Sequence, residues 1–192
     1  MKHLKENRIL KQEALELLKD NWSIAVSVSA IFMFVNIISS KVPFSLFFTI
    51  PITIGIINFY LNLSRGKTLE VSSIFSYFNN RYLVYIWNSI LVLIRIALWS
   101  LLLIIPGIIA AISYSQSYFI LAEDNSISAI ETIERSKKMM YGYKWKYFLL
   151  LLSFIGWGLL SIISLGIGFL WLIPYMYVTQ AKFYDNLKKH HI

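Results

Sequence analysis

One basic side chain, Arg95, lies inside a long apolar run, as the fourteenth residue of the stretch Tyr82 to Ile105. Near the middle of a bilayer such a charge costs about 2.5–3.5 kcal/mol on insertion scales, so it needs partners. The following apolar stretch supplies candidates, because Ser113-Tyr114-Ser115-Gln116-Ser117-Tyr118 is the most polar segment in any long apolar run and Glu123 closes it. A turn at Pro106-Gly107 brings Ser117 level with Arg95, each 11 residues from Pro106. Helical side chains lean toward their own N-terminus, so Arg95 and Glu123 on antiparallel helices lean toward each other. The expectation is an intramembrane polar network of Arg95, Ser113, Gln116, Ser117, Tyr118 and Glu123. It serves either packing or, in a sharper form, an arginine on an aqueous cavity that binds an anion or a lipid headgroup.

Other chemistry lacks its residues. No Asp, Glu or His falls within the apolar runs; the histidines are His3, His190 and His191, all near the ends. Proton relays and intramembrane metal sites therefore have no ligands. The chain has no cysteine, which excludes disulfides, thiol catalysis and Cys-bound metal. The serines have no intramembrane base beside them, and no Gly-rich phosphate loop occurs. No catalytic residue, cofactor or metal is expected, and the chain reads as a non-enzyme.

The elements that position Arg95 are set by composition. Of 192 residues, 57% are hydrophobic and 15% charged, with mean hydropathy +0.62. A soluble domain averages roughly 45–50% apolar and 25% charged. The excess falls into blocks, and a bilayer core needs about 20 apolar helical residues. Six spans are expected, at about 22–40, 44–63, 82–105, 107–122, 145–164 and 165–181. The fold class is all-α: one membrane domain of three hairpins with tiny outer turns at Lys41-Val42-Pro43, Pro106-Gly107 and around Gly166-Ile167-Gly168.

The formal net charge of +8 reports orientation. With both termini cytoplasmic, 16 of the 18 Lys and Arg lie inside, Lys41 lies outside and Arg95 lies within a span. This is the asymmetry expected of a multi-pass protein, so no nucleic-acid partner is inferred. Glu6, Glu13, Glu16 and Asp20 before the first run argue for an uncleaved helix over a signal peptide.

The inner segments read as amphipathic helices that anchor on the cytoplasmic leaflet, at 1–21, 68–81 and 126–144. Their apolar faces are Leu10, Ala14, Leu17, Leu18 and Trp22, then Val71, Ile74, Phe75, Phe78 and Tyr82, then Ala129, Ile130, Ile133 and Met140. Ser128 and Glu131 form a possible capping box at the start of the third. Phe59-Tyr60-Leu61-Asn62-Leu63 and Phe183-Tyr184-Asp185-Asn186-Leu187 share four of five residues, which suggests an internal repeat.

The C-terminal half carries ordered motifs: Ile105-Pro106-Gly107-Ile108-Ile109, Ser113-Tyr114-Ser115, Ser136-Lys137-Lys138-Met139-Met140, Leu152-Ser153-Phe154-Ile155-Gly156-Trp157 and Gly166-Ile167-Gly168-Phe169-Leu170-Trp171. With Pro174-Tyr175 and Phe183-Tyr184 they resemble a bacterial integral-membrane family, domain of unknown function 975, most closely over residues 100–187. Tyr143 stands where the family's Gly-His-Lys-Trp motif carries His. The resemblance implies a multi-pass protein of a bacterial, Gram-positive cell membrane and supplies no activity.

The functional expectation is an interaction or scaffold protein, or an envelope-protective factor such as one conferring immunity to membrane-active peptides. The alternative is a small transporter or channel with a polar path around Arg95 and the fourth span. Expected partners are anionic lipid headgroups at the cytoplasmic face and a second copy or another membrane protein.

Overall fold

The computed structural model describes residues 4–41, 45–67, 70–79, 81–124 and 126–191. Val42 and Pro43 of the first expected turn lie outside these residues, as do His3 and Asn80. The elements are α1 (Asn7–Lys19), α2 (Trp22–Ser39), α3 (Leu46–Ser64), a 3-10 helix (Val71–Tyr77), α4 (Tyr82–Leu102), α5 (Ile104–Tyr114), α6 (Ser117–Glu123), α7 (Ala129–Met139), α8 (Lys144–Leu152), α9 (Ile155–Ile163) and α10 (Phe169–His191). Among the described residues there is no strand.

Five helical stretches are long and apolar enough to cross a membrane: Trp22–Ser39, Leu46–Ser64, Tyr82–Leu101, Ile104–Glu123 and Lys144–Ile163. The last two are each interrupted once, at Ser115-Gln116 and at Ser153-Phe154. In both breaks a serine hydroxyl donates three residues back, Ser115 to Ile112 and Ser153 to Leu150, competing with the helical ladder. The sixth expected stretch differs. Ser164 to Gly168 form a turn with Leu165 and Gly166 at φ 55° and 89°, and α10 begins only at Phe169. Its apolar part is short, because Lys182, Asp185, Lys188 and Lys189 occupy its second half.

The turn between α4 and α5 falls at Leu103, which is extended (φ −166°, ψ 153°), and not at Pro106-Gly107. Pro106 sits in the first turn of α5, where its missing N–H removes no helical bond. Gly107 instead permits close packing, since a Cβ there would meet the Ser100 hydroxyl at 2.1 Å.

Each of the three amphipathic segments buries part of its apolar face against protein. Leu10, Ala14 and Leu18 of α1 are fully buried, in clusters that include α3 and α10 residues. The segment after α3 doubles back along it, so the Ile74 carbonyl lies against Gly55 and the Tyr82 hydroxyl donates to the Phe47 carbonyl at 2.6 Å. Pro51 lacks the amide that would bond that carbonyl within α3, and Tyr82 takes its place. The segment is a 3-10 helix, whose period of three places Ile74 and Tyr77 inward. Phe75 and Phe78, expected on the apolar face, are exposed. In α7 Ala129 and Ile133 are buried with Thr132 and Ser136, while Ile130 faces out. Ser128 caps α7 by accepting from the Glu131 amide.

The core is built on α3 and α10. Tyr60 is fully buried, donates to the Ala25 carbonyl at 2.9 Å, and shares a 2.8 Å bond with Ser29. Its ring stacks on Tyr177 at 5.4 Å, tying α2, α3 and α10 together.

Candidate functional site

The antiparallel packing of α4 on α5–α6 sets what Arg95 meets. Tyr118 donates to Ser89 at 3.0 Å and Gly107 abuts Ser100. In that register Arg95 falls opposite Ile112, not Ser117, because the chain turns early at Leu103. The guanidinium lies 6.0 Å from the centre of the Tyr114 ring, a cation–π contact.

The expected six-residue network is therefore not assembled. Glu123 is engaged elsewhere, accepting from Tyr184 at 2.7 Å, from Lys188 at 2.8 Å and from Arg65 at 2.7 Å. Ser113 donates within α5 to the Ile109 carbonyl, and Ser117, at the start of α6, donates across the break to the Tyr114 carbonyl at the end of α5. Gln116 is fully buried, and its amide side chain donates to Ser115 at 2.9 Å.

What the polar stretch does hold is α7. Ser136, fully buried, accepts from the Gln116 backbone N–H at 3.2 Å and donates to the Ser113 carbonyl at 2.9 Å. One hydroxyl thus satisfies two backbone groups at the α5–α6 break, where the helical ladder leaves them open.

A charged cluster forms where α3, α6 and α10 converge. Arg65, just past the end of α3, donates from Nε to both Asp185 oxygens at 3.1 and 3.2 Å. Its second nitrogen reaches Asp185 at 2.5 Å and Glu123 at 2.7 Å. Burial works to lower the guanidinium pKa, but the bonds and charges of Asp185 and Glu123 outweigh it and hold the value above the ordinary one. Beside the cluster lies a recess of 680 Å³ lined by Arg65, Lys182, Asp185, Lys188 and Lys189 among others. Gly66, at φ 66°, turns the chain at its edge.

A second recess, of 290 Å³, lies among α4, α5, α7 and α8 and is lined by Trp99, Pro106, Ile109, Ala110, Ser113, Tyr114, Lys137 and Lys144. Tyr114 is the ring under Arg95. A further cation sits at the α8–α9 break, where Lys11 donates to Ser153 at 3.1 Å and lies 4.7 Å from the Phe154 ring centre. Burial lowers its pKa.

Sequence reasoning missed Arg65, Asp185, Ser136 and Lys11 as site residues. Asp185 had a signal, since it is the one position that differs between the two Phe-Tyr-x-Asn-Leu motifs. Ser136 and Lys11 had none, because their partners are set by tertiary packing.

No curated protein and no solved structure matches the chain. The family model described as "Protein of unknown function (DUF975)" matches residues 10–191. This chain belongs to the DUF975 family.

Proposed function

We propose that the protein is a non-enzymatic, multi-pass membrane protein that acts through contacts, as a scaffold or an envelope-protective factor. Immunity to membrane-active peptides is one concrete form. The carrying observation is the use made of the polar groups in the fourth apolar stretch. Ser113 bonds within α5, and Ser117 and Ser136 bridge the α5–α6 break, so these groups hold the fold. The recess at the end of α3 keeps Lys182 and Lys189 outside the Arg65 ion-pair cluster, and these two cations fit an anionic partner surface. Single cysteines at Gln116 and Ser117, both fully buried, test this in a chain without native cysteine. Resistance to small thiol reagents is expected; labelling in a continuous row would overturn it in favour of transport. In the native host, a deletion strain that keeps its full susceptibility profile to cationic peptides would remove the immunity form.

The topology proposed with it is six crossings in a bacterial, Gram-positive cell membrane, both termini inside, with α10 as the sixth. Its support is the placement of 16 of 18 basic residues on one side. An internal repeat accounts for the shared motifs ending α3 and α10, whose Phe and Tyr are buried in both copies.

The second reading, a small transporter or channel, has one observation in its favour. Asn88 in α4 is fully buried, and neither its carbonyl nor its amide nitrogen has a hydrogen-bond partner among the described residues. The Tyr85 hydroxyl, three residues earlier, is in the same state. Buried polar groups without partners are rare outside functional sites.

A further inference from the structure

We propose that Arg95, Lys137 and Lys144 form a binding site for a phosphate group, carried by an anionic phospholipid whose headgroup is drawn into the recess between α4, α5, α7 and α8. Lys137 and Lys144 line that recess together with Tyr114 and Trp99. The Arg95 guanidinium lies 6.0 Å from the centre of the Tyr114 ring that lines the recess, and Arg95 shares a helix face with Trp99 one turn on. Three cations thus gather around one aromatic residue.

Among the described residues none of the three makes an ion pair with a carboxylate. The basic recess beside Arg65 differs in this respect, since Asp185 and Glu123 already neutralise Arg65 and Lys188. Lys137 is exposed and Arg95 and Lys144 are half-buried, so all three are open to a ligand from outside, and with no carboxylate paired to them an anion is the partner that complements their charge. Arginine and lysine suit phosphate oxygens, the first by its planar fork and the second as a point charge.

The surroundings point to a lipid as the carrier. Ile109 in the recess wall is exposed, and Leu98, Ile105 and Ile108 are further exposed large apolar side chains on the same two helices. Acyl chains have a surface there, and Trp99, itself half exposed, sits at the recess as an amphipathic ring. The volume of 290 Å³ suits a headgroup and not a whole lipid. The inference stands apart from the scaffold reading, because a lipid site serves a scaffold and a transporter alike.

The full chain, purified in detergent, is titrated with dioleoyl phosphatidylglycerol or dioleoyl phosphatidylcholine and followed by native mass spectrometry. One tightly held phosphatidylglycerol is expected, with phosphatidylcholine held weakly. Replacing all three cations (Arg95→Gln, Lys137→Gln, Lys144→Gln) is expected to weaken phosphatidylglycerol binding about a hundredfold, each charge contributing about fivefold. Arg95→Lys keeps the charge and retains most of the binding, and it serves if the triple variant does not fold. Lys19→Gln together with Lys67→Gln, remote from the recess, leaves binding unchanged. Excess inorganic phosphate distinguishes the carriers: no displacement supports the lipid, while displacement keeps the phosphate chemistry and overturns the lipid source. Equal binding of the two lipids, or equal binding by wild type and the triple variant, overturns the site.

Discussion

Gly55 in α3 packs directly on the backbone of Ile74, so a methyl group added to Gly55 would lie 2.0 Å from the Ile74 carbonyl oxygen. The neighbour is main chain and cannot rotate away. Gly55→Ala is expected to destabilise the protein by about 3 kcal/mol, the upper part of the range for overpacking. Gly156→Ala, with no atom within 4 Å of the added carbon, is the control and is expected to gain about 0.5–1 kcal/mol from helix propensity. Thermal unfolding of both variants in one detergent checks the pair.

Ser136 is the second weak point. Ser136→Ala removes the group that serves both the Gln116 amide and the Ser113 carbonyl, and it leaves these buried groups unsatisfied. The expected loss is about 1–3 kcal/mol. Hydrogen exchange should quicken at the Gln116 amide well before it does in α3 or α10.

The Arg65 cluster predicts a coupling. Arg65, Glu123 and Asp185 side chains are between 20% and 23% exposed, so screening is partial. Arg65→Ala is expected to cost about 2–3 kcal/mol, somewhat less than breaking a fully buried pair. A double-mutant cycle of Arg65→Ala with Asp185→Ala should give a coupling of about 1–3 kcal/mol. Additive effects would mean that the bidentate contact carries no energy.

Topology has a sharp test in the contact of Tyr82 with Phe47, which brings the start of α4 to the start of α3. Cysteines at exposed positions Ser40 and Ser164 are expected to react with impermeant reagent from outside, and those at Lys67, Asn79, Tyr141 and Lys189 only after the membrane is opened. Outside labelling at Asn79 would mean that the segment returning along α3 itself crosses, and six crossings would be wrong.

If α1 belongs to the folded core, its apolar residues behave as core residues. Leu18→Ala is expected to cost about 2–5 kcal/mol in detergent and in lipid alike, since Leu18 is fully buried by protein. A loss confined to lipid vesicles would return α1 to the leaflet surface.

The sequence makes the helical segments legible because their signal is local. Apolar runs mark α2, α3 and α4 to within a few residues, and Ser128 with Glu131 marks the start of α7. Faces are less legible where the helix type changes. Val71 to Tyr82 keeps an α-helical period in its letters, yet the chain adopts a 3-10 helix there and Tyr77 displaces Phe75 and Phe78 from the inner face.

The candidate site was legible as a list of residues and not as a set of partners. Arg95 was identified because a charge in an apolar run is conspicuous on its own. Its partner depended on the register of α4 against α5, which one extended residue, Leu103, shifts by several positions. The lean of side chains on two antiparallel helices pairs Glu123 with Arg95, whereas Arg65 and Lys188 reach it across tertiary contacts of 58 and 65 residues.

The N-terminal residues are fastened to elements made much later. The Lys5 amide donates to Asn186 at 3.0 Å, Asn7 donates to the Lys146 carbonyl at 2.9 Å, and Lys146 donates to the Leu4 carbonyl at 2.7 Å. During synthesis α1 emerges well before α8 and α10, so α2 and α3 can receive Ala14 and Leu18 early while the part of its site that α8 and α10 supply is still missing. Its last contacts, those of Leu4, Lys5 and Asn7, form only once Lys146 and Asn186 have been made. Seating α1 is then the closing step of assembly, and a bulky fusion close to Leu4 or Asn186 would obstruct that step while leaving earlier insertion intact.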